Sequence, residues 1–127
     1  MKYRRLGSTN LTVSVIGVGT WQFGGERGKG LLTGKYRPGT RFTNAADTRS
    51  RRPTDEVDRR LEAAQRIREE EVPKGTPMAA WALAWCLQHP AVTAVIPGGK
   101  SSQQIAANAK AAELTLMAAD HPQAVAP

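Results

Sequence analysis

The chain has 127 residues, of which 40% are hydrophobic and 23% are charged, and its formal net charge at pH 7 is +7. This length allows one small domain at most. The single cysteine, Cys86, excludes a disulfide within the chain, and its apolar helical surroundings indicate a structural thiol. No signal sequence is seen and no apolar run approaches the roughly 20 residues of a membrane-spanning helix, so we expect a cytoplasmic protein.

The positive charge does not form the pattern of a specific nucleic-acid-binding site. Basic residues are spread over the N-terminus, a loop and a helix, where they alternate with acidic residues at spacings such as Glu62 to Arg66. No zinc-ligand spacing, RNA-binding aromatic signature or helix-turn-helix pattern accompanies them. We therefore expect no specific nucleic-acid partner, although charge alone favours weak binding to polyanions.

The first half of the chain predicts a hairpin, a strand and a long loop. Residues 2–17 alternate apolar and polar side chains around Ser8, Thr9 and Asn10, a pattern typical of a hairpin that leads into a strand. Residues 24–53 are rich in Gly, Arg, Thr and Pro and show no sustained periodicity, which predicts a loop.

The second half predicts helices with clear starting signals. Residues 55–71 form an amphipathic helix that Thr54 can cap. The next helix is expected to begin at Thr76 with Pro77 in its first position and to end before Pro90. Because its apolar residues cover most of its circumference, we expect burial on more than one side.

A buried strand and a final helix are predicted near the C-terminus. Residues 92–96 are too apolar for a half-exposed strand, and residues 102–113 show a helical pattern.

The connection between this strand and this helix has the layout of an anion site. Residues 95–101 (VIPGGKS) end an apolar β-branched stretch at Pro-Gly, add the charge of Lys100 and open a helix on Ser101. A helix N-terminus offers unpaired N–H groups and partial positive charge, which suit a phosphate. Ser101 and Gln104 also form a capping box. An ordinary helix cap beside a surface lysine explains the residues equally well.

Three separate stretches carry a family resemblance. They are residues 2–24 (KYRRLGSTNLTVSVIGVGTWQFG), residues 31–36 (LLTGKY), and residues 82–90 (ALAWCLQHP) with the Ile-Pro-Gly run that follows. In this order they resemble the opening, the loop after the seventh barrel strand and the last helix–strand unit of the aldo-keto reductases. The resemblance implies a (β/α)8 barrel that transfers hydride between NADP(H) and a carbonyl or alcohol.

The segments that carry the family's catalytic Asp, Tyr, Lys and His have no counterpart in this sequence. Residues 23–34 (FGGERGKGLLTG) join the two flanking stretches directly, with a junction near Gly25 to Gly28. The tyrosines and histidines lie in other motifs, namely Tyr3, Tyr36, His89 and His121. We therefore assign no catalytic residue and no metal ligand.

A complete barrel needs about 250 residues. The resemblance thus implies an incomplete α/β barrel, a single truncated domain over residues 1–127, which keeps the N-terminal hairpin, the first and last strands and the C-terminal helices. The first and last strands of a closed barrel are neighbours, so we expect residues 13–18 to pair in parallel with residues 92–96. Two strands alone leave two open edges and are marginally stable, so we expect low stability, with self-association as one way to cover the edges.

The resemblance further implies that part of the cofactor site is retained, in three groups. The end of strand one, facing the nicotinamide, is matched by Gly19, Thr20 and Trp21. The loop over the pyrophosphate is matched by Leu32, Gly34 and Lys35. The segment that holds the adenosine end and its 2′-phosphate is matched by Gly98, Lys100, Ser101, Gln104 and Asn108.

Each assignment has a simpler structural alternative. Trp21 is equally explained as a core aromatic residue, and Lys35 is better explained as a solvated loop charge. Gln104 can serve the capping box alone, Asn108 can face solvent, and the glycines can serve only to turn the chain. Lys100 stands where many relatives have arginine; a lysine neutralises a phosphate without the bidentate fork, so preference for NADP over NAD is less secure.

These observations lead to two functional hypotheses. The first is an NADP(H)-dependent oxidoreductase by family, here a catalytically deficient remnant that keeps part of the cofactor site. The alternative is a non-catalytic nucleotide-binding or oligomeric interaction module, or a decayed gene product. The sequence does not identify a substrate.

Overall fold

The computed structural model describes residues 1–19 and 30–116. Its strands are β1 (Tyr3–Arg5) and β2 (Thr12–Ser14), and its helices are α1 (Thr54–Glu70), α2 (Met78–Gln88) and α3 (Ser102–Lys110). Short 3-10 helices span Leu31–Thr33, Thr48–Arg51 and Ala111–Glu113. No helix of the described ranges is both long and apolar enough to cross a membrane.

The predicted hairpin and the predicted parallel pairing are both present. β1 and β2 are antiparallel, with Tyr3 opposite Ser14. The chain then runs parallel to the segment before α3: the Gly17 amide donates to the Val95 carbonyl over 2.9 Å, and the Gly19 amide donates to the Pro97 carbonyl over 2.9 Å. These bonds join two stretches that lie nearly eighty positions apart in the sequence.

Helix α1 begins one residue earlier than its sequence signals indicate, and helix α2 begins later than its signals indicate. Thr54 is the first residue of α1 and does not cap it, because Pro53 occupies the N-cap position and no side chain caps this end. Pro77 likewise occupies the N-cap of α2, so the helix starts at Met78 and not at Thr76. A proline at the N-cap has no side-chain acceptor to offer the first N–H groups. The last predicted helix is confirmed, but its final turn is a 3-10 helix.

α2 lies between two apolar clusters, as its composition predicts. Leu87 packs in a cluster that also contains Val15, Ile16 and Ala112. On another side, Trp81 and Ala84 pack in a second cluster. Helix α2 therefore joins the parallel pair to the C-terminal elements and is the centre of the packed part of the chain.

The prediction of a buried strand over residues 92–96 is wrong. The structure has isolated parallel bridges from Ile16 to Val95 and from Gly19 to Gly98, and Ile96 is 71% exposed. Apolar composition indicates a strand covered on both faces only when elements exist to cover both faces. In the described ranges, the face that carries Ile96 is left open to solvent.

Candidate functional site

The turn before α3 is braced by two side chains from that helix. Ser101 is the N-cap, and its hydroxyl accepts from the Gln104 amide over 3.2 Å, as the capping box predicts. The Gln104 Oε1 accepts a hydrogen bond from the Lys100 backbone amide over 2.7 Å. A capping box would instead pair it with the amide of Ser101. The Asn108 amide donates to the Gly98 carbonyl over 3.2 Å. Asn108 therefore does more than face solvent, since it holds the turn closed from ten residues away.

The glycines of this turn allow close approach as well as a change of direction. Gly99 is buried, and a Cβ built on it would lie 2.7 Å from Cγ1 of Ile105. On the other side of the turn, a Cβ on Gly19 would lie 3.1 Å from the Ile96 carbonyl oxygen. Gly19, the pair Gly98 and Gly99, and the start of α3 thus form one tightly packed group.

This group presents uncompensated positive charge. Lys100 is exposed, and within residues 1–19 and 30–116 it has no ion-pair partner. The first turn of α3 contains no acidic residue. The helix dipole and the ammonium group therefore add at this end of the helix, and the arrangement can attract an anion such as a phosphate.

The second group of predicted residues lies against other elements. Leu32 and Gly34 belong to the 3-10 helix Leu31–Thr33 and its C-cap, which pack against α1 and α2. Gly34 has φ 74°, in the left-handed region that favours glycine. Lys35 is exposed, and its Nζ lies 5.0 Å from the centre of the Tyr36 ring. Hydrogen bonds connect the residues around α3, whereas the 3-10 helix that contains Leu32 is placed by packing on α1 and α2.

A cleft of about 220 Å³ opens beside this second group. Gly34 and Tyr36 line it from the loop, and Arg68 lines it from α1. A Cβ on Gly34 would lie 2.6 Å from the Arg68 guanidinium, so the absence of a side chain at position 34 admits this arginine. Thr20 and Trp21, which were predicted to face the nicotinamide, lie outside the described residues.

Sequence reasoning missed a buried ion pair next to Lys35. Arg49 and Asp47 are both buried, and the Arg49 Nε donates to Asp47 Oδ1 over 2.8 Å. The guanidinium carbon of Arg49 lies 4.5 Å from the centre of the Tyr36 ring and 3.8 Å from that of Phe42. We name these four residues the arginine clamp. In the sequence Arg49 is one of several loop arginines, and only its spacing from Asp47 sets it apart.

The arginine clamp changes the electrostatics of its members. Burial raises the pKa of Tyr36, but the hydrogen bond and charge of Arg49 and the charge of Lys35 outweigh burial, and the pKa lies below its usual value. The hydrogen bond to Asp47 raises the pKa of Arg49, against the effect of burial. Within the described residues there is no cluster of three or more His, Cys, Asp or Glu side chains that could hold a metal ion.

Comparison with known proteins agrees with the sequence resemblance. The model of the aldo/keto reductase family matches residues 27–126, which include the second and third resembling stretches. Two curated relatives share about a third of the aligned residues. A probable voltage-gated potassium channel subunit beta from Arabidopsis thaliana is 34% identical over 106 residues, and one from Oryza sativa subsp. japonica is 32% identical over 106 residues.

The alignment takes in 78% of this chain and 30% of each of these relatives. The chain thus spans less than a third of their length. The family match covers most of the chain, and the (β/α)8 barrel is the fold of that family. The chain therefore belongs to the aldo/keto reductase family.

Proposed function

We propose that this chain is the part of an aldo/keto reductase that holds the phosphate groups of NADP(H). The observation that carries the proposal is the junction of the two parallel segments, where Gly19 lies beside Gly98 and the charge of Lys100 stands at the start of α3. Such a helix end binds phosphate through backbone N–H groups and its dipole. Family membership supports a nicotinamide nucleotide as the source of that phosphate.

Each predicted residue has a role in this proposal. Lys100 and the first turn of α3 would neutralise a phosphate, and Ser101, Gln104 and Asn108 keep the turn in shape. Lys35 would supply a second positive charge from the loop that packs on α1. When bound, the nicotinamide cofactor donates hydride to a carbonyl or accepts it from an alcohol; these residues only bind and orient it. Thr20 and Trp21 remain predictions for the nicotinamide end.

We further propose that residues 1–127 form one truncated barrel domain that does not catalyse carbonyl reduction by itself. The family's proton donor and its Lys, Asp and His partners have no counterparts in the sequence. Tyr36 is no substitute, because it lies in the stretch that resembles the loop after the seventh barrel strand and not in the segment that carries the family's proton donor. General acid catalysis alone contributes about 10²–10⁴-fold to a rate. Reduction of an aldehyde by the purified chain with NADPH, well above a protein-free blank, would refute this part.

The binding proposal is tested by the affinity for NADPH and NADH of three proteins: the unaltered chain, Lys100→Ala and Lys110→Ala. Lys110 is a matched control because it lies at the opposite end of the same helix. Loss of a charge-assisted contact of about 1.4 kcal/mol corresponds to about tenfold in affinity. We expect Lys100→Ala to weaken NADPH binding by about that factor and NADH binding less, and Lys110→Ala to change neither. Equal effects of the two substitutions, or no binding by the unaltered chain, would refute the proposal.

Exposed apolar residues on the parallel pair favour self-association as a second role. Val18 is 48% exposed and Ile96 is 71% exposed, and both belong to the segments that the parallel bonds join. The two named relatives are described as subunits, which is consistent with a role in assembly. We expect Ile96→Asp to abolish a concentration-dependent dimer in sedimentation, while Leu32→Asp, at another exposed site, does not. An unaltered chain that is monomeric at every concentration would exclude this role.

A further inference from the structure

The arginine clamp fixes one segment of the long loop against another. Asp47 is the N-cap of the 3-10 helix Thr48–Arg51, and its carboxylate accepts both the backbone amide and the Nε of Arg49. The Asp47 side chain thus sets the position of the Arg49 guanidinium. The guanidinium in turn donates to the Tyr36 hydroxyl over 3.2 Å. Residue 36 is therefore held by a group thirteen positions further along the chain.

The shape of the arginine clamp requires an arginine. The planar guanidinium lies over the Phe42 and Tyr36 rings, and its edge pairs with the Asp47 carboxylate. The two rings pack edge to face, with centres 5.1 Å apart and planes at 79°. A lysine keeps the charge but offers neither the planar stack nor the bidentate fork. Arg49→Lys therefore removes the geometry and preserves the charge.

The Tyr36 ring is the surface on which the Lys35 ammonium rests. Lys35 Nζ lies 5.0 Å from the ring centre, within the range of a cation–π contact. Lys35 is exposed and has a long flexible side chain, so its contact with the Tyr36 ring restricts the position of the ammonium group. The residues on either side of Lys35 in the chain, Gly34 and Tyr36, line the cleft described above.

We propose that Arg49 is a positioning residue for Lys35: by holding the Tyr36 ring, it places the Lys35 ammonium for contact with an anionic group of the nucleotide. Arg49 does not contact the anion in this account. It acts through Tyr36, and its effect on binding disappears when the Lys35 charge is removed. This inference rests on the proposed nucleotide-binding function.

A double-mutant cycle on NADPH affinity tests the proposal, with Lys35→Ala, Arg49→Lys and the double variant. Each single substitution is expected to weaken binding by about tenfold, the effect of one charge-assisted contact. Because Arg49 acts through Lys35, the double variant is expected to lose about tenfold as well, and not the hundredfold of independent effects. Arg51→Lys is the matched control, since Arg51 is exposed on the same 3-10 helix. It should bind NADPH like the unaltered chain.

A second variant separates positioning from a loss of folding. Tyr36→Leu keeps both charges and removes the ring, so it should weaken NADPH binding by the same factor as Arg49→Lys, with a far-UV circular dichroism spectrum like that of the unaltered chain. Additive effects in the cycle, or unchanged binding by Tyr36→Leu, would overturn the inference while the nucleotide site stands. If the unaltered chain does not bind NADPH, both the inference and the proposed function are wrong.

Discussion

The substitution Gly19→Ala tests how closely the two parallel segments approach. A Cβ at position 19 would lie 3.1 Å from the carbonyl oxygen of Ile96 and 3.3 Å from that of Pro97. Both neighbours are backbone atoms that are tied into the parallel pairing, because the Gly19 amide bonds to the Pro97 carbonyl over 2.9 Å. Relief of the contact therefore requires one segment to move by a few tenths of an ångström.

The expected cost follows from this geometry. Inserting a methyl group into a packed site that must shift costs about 1–3 kcal/mol. Replacing glycine by alanine restricts the unfolded chain and returns about 0.4–1 kcal/mol. We expect Gly19→Ala to lower the free energy of unfolding by about 0.5–2 kcal/mol. With a urea slope of about 1–3 kcal/mol per molar for small proteins, the unfolding midpoint should fall by roughly 0.2–2 M.

Gly17→Ala on the same segment is the matched control. A Cβ there would lie 3.4 Å from the side chain of Ile96, which is exposed and free to turn. Only the effect on the unfolded chain remains, so Gly17→Ala should be neutral or slightly stabilising. Urea unfolding followed by far-UV circular dichroism measures both variants. The reasoning is refuted if Gly19→Ala is as stable as Gly17→Ala.

Three further experiments test the core, the N-terminus of α3 and the ionisation of Tyr36. Leu61→Ala should lower the free energy of unfolding by about 2–5 kcal/mol in urea titrations, since Leu61 is 1% exposed, whereas Leu32→Ala, at a side chain 45% exposed, should cost far less. Ser101→Ala removes the N-cap acceptor and should cost about 0.5–2 kcal/mol in the same assay; an unchanged midpoint would contradict the capping role. In a Tyr3→Phe background, ultraviolet titration should show Tyr36 ionising below the usual pKa of a phenol, because its neighbouring cations outweigh burial. The fold thus favours the phenolate of Tyr36, so its contribution to stability is present above the pKa of the unfolded chain and is lost as the pH falls through the pKa of the folded chain. Ionisation of Tyr36 at or above the ordinary pKa of a phenol would disprove this prediction.

Local signals in the sequence were sufficient for the helices and for the start of α3. The amphipathic period of residues 54–70 and the Ser101 cap act between residues a few positions apart, so they do not depend on the rest of the fold. The same holds for the three stretches that resemble the aldo/keto reductases, since each is a continuous segment. The parallel pairing followed from that resemblance, because the first and last strands of a closed barrel are neighbours.

Only the tertiary structure decided which side chains are exposed and which distant side chains are in contact. Ile96 is an apolar residue of the kind usually buried, yet burial requires an element that covers it. Among the described residues no element covers the face that carries Ile96, and the side chain is exposed. Gln104 bonds to the Lys100 amide and Asn108 to the Gly98 carbonyl because the turn folds back on α3. Arg49 meets Tyr36 across thirteen positions without periodicity, and contacts of this kind arise from the path of the whole loop. The sequence by itself determined the hairpin, the three helices and the family, whereas packing between distant segments determined the arginine clamp and the geometry of the candidate site.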